Sequence, residues 1–222
     1  MSSMKCLAIE TATAQGSVAA SNGAAVGQLV LTDARSSSRE LYRAIDQVLG
    51  QVGLQPAELD CIAFGCGPGS FTGVRVAASA AQSLAFSLGL PVARISTLEA
   101  LAHAARRTGK VGDVAVCLDA RMGEVYFGLY GGGSSLQVVQ ADQLLAPEQV
   151  RLEGSGWLAA GNGWQVFPQA RADNAAAITE VLDDCSPDAL ALLAIAEHRY
   201  AAGELVRPVD AIPNYLRNEV TG

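Results

Sequence analysis

Two short apolar runs, one near the start of the chain and one just past its middle, each end on a carboxylate followed by a tight turn. The first is Leu7-Ala8-Ile9-Glu10, leading into Thr11-Ala12-Thr13; the second is Val116-Cys117-Leu118-Asp119, leading into Ala120-Arg121-Met122-Gly123. In both cases a second strand-like run comes next. A buried strand, an acidic residue at its end, a turn and a returning strand make one local unit. Meeting it twice in 222 residues reads as a degenerate internal duplication. A chain of this length has room for one large domain or two small ones. The repeat favours two related α/β lobes, 1–108 and 109–222, parted where Arg107-Thr108-Gly109-Lys110-Val111-Gly112 reads as a linker.

Half of the residues are hydrophobic and 17% are charged, which fits a chain that buries a core. Much of the apolar content is alanine, and aromatics make up only 5%, so packing must come from close approach of small side chains. Helices laid on sheets meet that need. No stretch approaches the ~20 apolar residues of a membrane helix. The first apolar run is too short for a signal-peptide core and is ended by Glu10, so a cytoplasmic, membrane-free protein is expected. The five cysteines lie mostly in strand-like runs and read as buried free thiols. His103 and His198 each lack a second histidine one turn away, and Cys61 and Cys66 lack zinc-site spacing, so no metal centre is expected. The net charge of −7 makes the chain a poor binder of nucleic acid by itself.

Strands are expected over 4–10, 17–21 and 25–31, with Asn22-Gly23 as a hairpin signal between the last two. A helix follows over about 37–52, with Leu41, Ile45, Val48, Leu49 and Val52 on one face and Ser36, Ser37 and Ser38 as available N-caps. After a strand over 61–65, Gly67-Pro68-Gly69-Ser70-Phe71-Thr72-Gly73 opens a helix that Gly89 ends. A strand over 91–95 and a helix over about 97–107 complete the first half. The second half reads as strands over 113–118, 124–130 and 136–139, with a turn at Gly131, Gly132 and Gly133. Then come a short helix near 147–152, a strand near 156–160, a helix over 187–202 and an extended docked tail over 211–217.

The glycine-rich run has no Gly-Lys-Ser/Thr ending and is not a P-loop. Gly67 and Gly69 permit a sharp turn, Pro68 stiffens it, and Ser70 or Thr72 caps the new helix. Gly73, Ala77, Ala80 and Ala81 line one side of that helix, with Ala78 and Ala85 close by. Such a face lets a second helix approach closely. Two readings stand side by side: the face packs on the protein's own sheet, or it joins the 37–52 helix to meet a partner or a second copy. The partner reading assigns the surface to Leu41, Ile45, Gly73, Val74, Ala77, Ala78, Ala81 and Ala85. In the other dense cluster, Arg121 and Glu124 are placed to pair within the turn, a contact worth ~0–1 kcal/mol. No Gly-x-Ser-x-Gly elbow occurs and neither histidine has a nucleophile nearby, so no catalytic residue is assigned.

Glu10-Thr11-Ala12-Thr13 and Asp119-Ala120-Arg121 resemble the phosphate loops of the actin–sugar kinase–Hsp70 (ASKHA, RNase H-like) superfamily, in which two such loops face each other across a cleft. Several longer motifs carry a closer resemblance. Met4-Lys5-Cys6-Leu7-Ala8-Ile9-Glu10-Thr11, the Gly67 to Arg75 run, Ser96-Thr97-Leu98, Asp119-Ala120-Arg121-Met122-Gly123-Glu124-Val125-Tyr126 and Tyr215-Leu216-Arg217-Asn218 are similar in order and spacing to the TsaB (YeaZ) family. That resemblance implies two actin-like lobes, a cytoplasmic location and a non-catalytic role. The role is in threonylcarbamoyladenosine synthesis on tRNA, beside the catalytic paralogue TsaD and the ATPase TsaE, with tRNA met only through the complex. A homodimer through the same helices is the other occupant of that surface. No cofactor is implied. Glu10, Thr11, Thr13, Gly67, Pro68, Gly69, Ser70, Thr72, Arg75, Asp119, Arg121 and Glu124 become family-motif residues around an inherited, idle cleft. Glu10 departs from the family's usual aspartate, and Ser36-Ser37-Ser38 stands where a histidine often precedes the first helix. The metal-binding His-x-x-x-His pair of the catalytic relatives has no counterpart here. The alternative is a stand-alone ATPase or phosphotransferase using Glu10 and Asp119 with magnesium.

Overall fold

Residues 6–10 are buried without interruption, the signature of a strand covered on both faces. The computed structural model describes residues 4–31, 38–110, 112–132 and 136–217. β1 (Cys6–Glu10) runs antiparallel to β2 (Gly16–Ser21), which pairs antiparallel with β3 (Val26–Leu31). Asn22 turns this hairpin: its Oδ1 accepts from Ala24 N (2.9 Å) and Ala25 N (2.7 Å), and Gly23 takes a φ of 83°. After α1 (Ser38–Gln51), β4 (Cys61–Gly65) lies parallel to β1. α2 (Phe71–Leu88) crosses over to β5 (Val92–Ile95), parallel to β4, and α3 (Thr97–Arg107) follows. The first sheet therefore has the order β3-β2-β1-β4-β5.

The same plan is then drawn again. β6 (Asp113–Arg121), β7 (Glu124–Gly132) and β8 (Leu136–Leu145) form an antiparallel meander. β9 (Trp157–Ala160) pairs parallel with β6. After α4 (Gly163–Val166) and α5 (Pro168–Asp173), β10 (Ile178–Leu182) pairs parallel with β9. The order read from the meander side is β8-β7-β6-β9-β10, strand for strand the order of the first sheet. The duplication inferred from two matching openings thus extends to both whole sheets, and the chain has the two-lobed α/β fold of the actin-like class. β8 runs six residues beyond the expected 136–139 strand, and Gly131 and Gly132 belong to β7. Ser36, Ser37 and Gly133 lie outside the described residues.

Compactness groups the chain as Met1–Ala100 with Asp188–Asn214, and Leu101–Pro187 with Tyr215–Gly222. The final helix, α6 (Ala189–Ala202), therefore stands with the first unit and not with 109–222. The reason lies in the faces of the first sheet. Leu7, Ile9, Val18, Ile62 and Phe64 share a core with α1 and α2. The alternating residues Ala8, Ala19, Ala63 and Ala93 are also fully buried and form the floor on which α6 lies, against β1, β2, β4 and β5. An alanine floor lets a helix sit close, which is how a chain with few aromatics fills its core. In the second unit, Phe127 meets Trp164 edge-on at 6.3 Å, and Trp164 Nε1 donates to Ala115 O (3.1 Å). All five cysteines are free, and four of them are buried.

Candidate functional site

The first motif turn and the glycine-rich loop meet inside the first unit as one interlocked knot. Thr11 Oγ1 donates to Gly73 O (2.7 Å), and Ser70 N donates to Ala12 O (2.7 Å). A methyl group on Gly73 would drive into the Thr11 carbonyl, and one on Gly69 into the Ala12 carbonyl. The glycines are thus required by close approach of protein backbone. Ser70, left open against Thr72 by the sequence, is the N-cap: its Oγ accepts from Gly73 N (3.3 Å), while Thr72 is exposed. Gly67 (φ 93°) and Pro68 are buried, and Gly67 O accepts from Thr97 N (3.0 Å). Cys66 donates its amide to Ile95 O (2.8 Å) and accepts from Asn214 N (2.7 Å). The loop therefore ties together the ends of β1 and β5, the start of α3 and the chain segment after α6. Arg75 lays its guanidinium over the Phe71 ring, 3.2 Å from the centroid, and Thr13 closes its own turn onto Gln15 O (3.1 Å).

Glu10 is completely buried at the end of β1. Its Oε1 accepts from Ala12 N (2.7 Å), its Oε2 has no hydrogen-bond partner among the described residues, and Gly65 leaves the space that its carboxyl fills. Burial pushes this carboxyl up to about 7; the Ala12 amide opposes the rise and the nearby Asp188 adds to it.

The second motif sits at the β6–β7 hairpin. Arg121 pairs across with Glu124, leaving Met122 and Gly123 as a two-residue turn with φ of 54° and 78°. Positive φ at both central residues is the pattern of a type I′ turn, whose usual occupants are Asn-Gly or Asp-Gly. Arg121 is also left-handed at 63°. Each non-glycine residue held there costs roughly 1–2 kcal/mol. Two clamps hold the shape. Asp119 Oδ1 accepts from Arg121 N (2.8 Å), and its Oδ2 pairs with the Arg121 guanidinium (3.0 Å). From the tail, Arg217 Nη2 pairs with Glu124 Oε2 (2.6 Å) and donates to Ala120 O (3.1 Å). The expected Arg121–Glu124 pair is thereby corrected: each charge has taken a different partner, because the left-handed turn points Arg121 back to Asp119 and Arg217 occupies Glu124. Asn162, whose Oδ1 accepts from Asp119 N (3.0 Å), Gly65 and Arg217 are site residues that sequence reasoning missed. Only Arg217 had a signal, in the closing Tyr-Leu-Arg-Asn.

The helix-face assignment is also corrected. Leu41, Ile45, Gly73, Val74, Ala77, Ala78, Ala81 and Ala85 are all buried in the folded chain, where α1 and α2 turn their apolar stripes onto the first sheet. The residues these helices leave outward include Tyr42, Arg43 and Asp46 on α1 and Phe71, Ser79, Ser83 and Phe86 on α2, with Phe86 75% exposed. Ala78→Arg is accordingly expected to lower the stability of the isolated chain by about 2 kcal/mol through overpacking, read as a fall in melting temperature. An unchanged melt would return Ala78 to the surface.

The chemistry open to these groups is narrow. Glu10 and Asp119 each spend an oxygen on the turn that follows them. Among the described residues, no three His, Cys, Asp or Glu side chains converge as a metal-ligand set. Burial pushes the Cys117 thiol up to about 12, with Asp119 adding to the rise. No helix among the described residues is long and apolar enough to cross a membrane.

Comparison with known proteins gives a consistent picture. The family model described as TsaD, tRNA N6-adenosine threonylcarbamoyltransferase, matches residues 30–217. The tRNA threonylcarbamoyladenosine biosynthesis protein TsaB of Haemophilus influenzae is 34% identical over all of this chain and 97% of its own length. The protein of the same name from Escherichia coli is 34% identical over 98% of this chain and 96% of its own. Among solved structures, YeaZ from Pseudomonas aeruginosa superposes with a TM-score of 0.89 at 33% identity, covering 96% of this chain and all of that one.

Proposed function

The chain belongs to the TsaB (YeaZ) family, whose relatives are named for tRNA threonylcarbamoyladenosine biosynthesis, and on that premise we propose that it serves this pathway as a non-catalytic subunit. It binds the catalytic paralogue TsaD and works alongside the ATPase TsaE in the cytoplasm, meeting tRNA only through the complex. The observation that supports this reading is the use of the two motif carboxylates. Glu10 is fully buried and holds the Ala12 amide; Asp119, 8% exposed, holds both the amide and the guanidinium of Arg121. Groups bound in this way are parts of a scaffold. The net charge of −7 agrees, since an acidic chain is by itself a poor binder of a phosphate backbone. The partner surface falls to the outward residues of α1 and α2, Tyr42, Phe71 and Phe86 among them, and a second copy of the chain competes for it.

Co-purification with the TsaD paralogue from the same cell tests the reading. A stable complex is expected, together with no magnesium-dependent ATP hydrolysis by the pure chain. Hydrolysis that Asp119→Asn abolishes, with no complex formed, would favour a stand-alone actin-like phosphotransferase.

A further inference from the structure

On the face of the first sheet that receives α6, alanine is the rule: Ala8, Ala19, Ala63 and Ala93 are all fully buried there. One register position departs from it. Cys6 of β1 stands directly beside Cys61 of β4, two residues before the Ala8–Ala63 pair on the same face. Neighbouring strands lie about 4.8 Å apart, so side chains in register stand side by side. The two thiols are in hydrogen-bond contact. A third sulfur closes the group: Met4 Sδ accepts from the Cys61 thiol at 3.5 Å, across 57 residues of sequence. Cys6 and Cys61 are fully buried and Met4 is half-buried, so the thioether is the outermost of the three.

This donor set selects among ligands. An ion holding three sulfurs at about 2.3 Å sets them about 4 Å from one another, and the Met4–Cys61 edge of 3.5 Å lies close to that. Thiolate together with thioether is the combination that favours Cu(I). Zinc is a poorer match, because it takes four ligands. No third His, Cys, Asp or Glu joins the pair among the described residues, and the nearby Asp60 carboxylate is held by the Lys5 amide (2.7 Å). A disulfide is a poorer match as well. The Cys61 thiol and burial push the Cys6 thiol well above its usual range, whereas the reactive form of cysteine is the thiolate. A soft cation instead brings the charge that replaces the departing protons.

We propose that Met4, Cys6 and Cys61 form a three-sulfur site for one soft monovalent cation, Cu(I) or its analogue Ag(I). Binding forms two metal–thiolate bonds and one metal–thioether bond; the two thiol protons pass to solvent, and no oxidation state changes. The site is independent of the subunit reading, since all three ligands belong to this chain.

The full chain, reduced and kept free of oxygen, is to be titrated with Cu(I) against the chromophoric chelator bicinchoninate, and copper X-ray absorption reads the neighbours of the bound ion. One Cu(I) per chain with three sulfur neighbours is expected. Cys61→Ala, on a face where alanine is already the rule, is expected to fold and to weaken binding by more than about a hundredfold. Met4→Leu, which keeps apolar bulk, is expected to weaken it about tenfold and to leave two sulfur neighbours. Cys185→Ala removes the cysteine that is not buried and is expected to change nothing. A wild-type chain that takes no Cu(I) from the chelator would overturn the site. So would binding lost in Cys185→Ala and kept in Cys61→Ala, the mark of adventitious capture by an accessible thiol. Zn(II) bound more tightly than Ag(I) would overturn the choice of a soft monovalent cation. If Cys61→Ala does not fold, the wild-type absorption spectrum decides, and fewer than three sulfurs around copper overturns the site.

Discussion

Gly73→Ala is expected to destabilise the protein by about 4 kcal/mol, although the same change in an ordinary helix stabilises by up to about 1 kcal/mol. The first turn of α2 lies against the Thr11 carbonyl so closely that a methyl group there would occupy the oxygen's own space. The obstruction is backbone, so no rotamer change relieves it. Forcing the two segments apart also breaks the bond from Thr11 Oγ1 to Gly73 O and loosens the Ser70 cap, each worth about 1 kcal/mol. Against a total stability of about 5–15 kcal/mol, such a loss leaves much of the chain unfolded at modest temperature. Gly50→Ala provides the control. Gly50 lies in α1 with nothing among the described residues within 4 Å of an added methyl, and there alanine is expected to stabilise by up to about 1 kcal/mol. Denaturant melts of both variants give the comparison; equal effects of the same sign would mean the knot between β1 and α2 is looser than described.

Glu10→Gln is expected to stabilise the protein, and only above mildly acidic pH. Burial raises the Glu10 carboxyl to about 7, whereas in the unfolded chain it titrates near the ordinary carboxylate value of 4.5. Below pH 4.5 both states hold the proton and the residue is neutral to folding. Between 4.5 and 7 the native state retains a proton that the unfolded state has released, so stability falls as pH rises. Above 7 the full difference between the two states, roughly 3 kcal/mol, stands against the fold. Glutamine copies the protonated form and keeps an oxygen for the Ala12 amide. The gain from Glu10→Gln is therefore expected to be near zero at pH 4, to grow to roughly 3 kcal/mol by pH 8, and to level off. A gain independent of pH would show that Glu10 does not titrate in this range.

These residues also show what a sequence can and cannot carry. Strand, carboxylate and turn were legible twice because alternation and turn chemistry are local, and the two sheets followed in the same strand order. That Gly67 to Gly73 starts a helix was legible for the same reason. Why Gly73 must be glycine was not, since its constraint is the carbonyl of Thr11, 62 residues earlier. The alanine-lined helix stays open between two readings in the sequence because small residues look alike whether they admit a partner or their own sheet, and the exposed Phe71 and Phe86 carry no periodic signal. α4, α5 and β10 span only four to six residues each, too short for periodicity to register. At the hairpin, Arg-Met-Gly gave no hint of a left-handed turn, because the conformation is imposed by Asp119 and by Arg217 from the far end of the chain.

The central claim, that this chain supports chemistry without performing it, is tested most directly by a reconstituted threonylcarbamoylation assay containing the TsaD paralogue and TsaE. The assay is run with wild-type chain, with Glu10→Gln, and with the chain omitted. Omission is expected to abolish the modification, while Glu10→Gln restores it to the wild-type rate. Activity that needs no subunit, or a folded Glu10→Gln chain as inactive as none at all, would contradict the account.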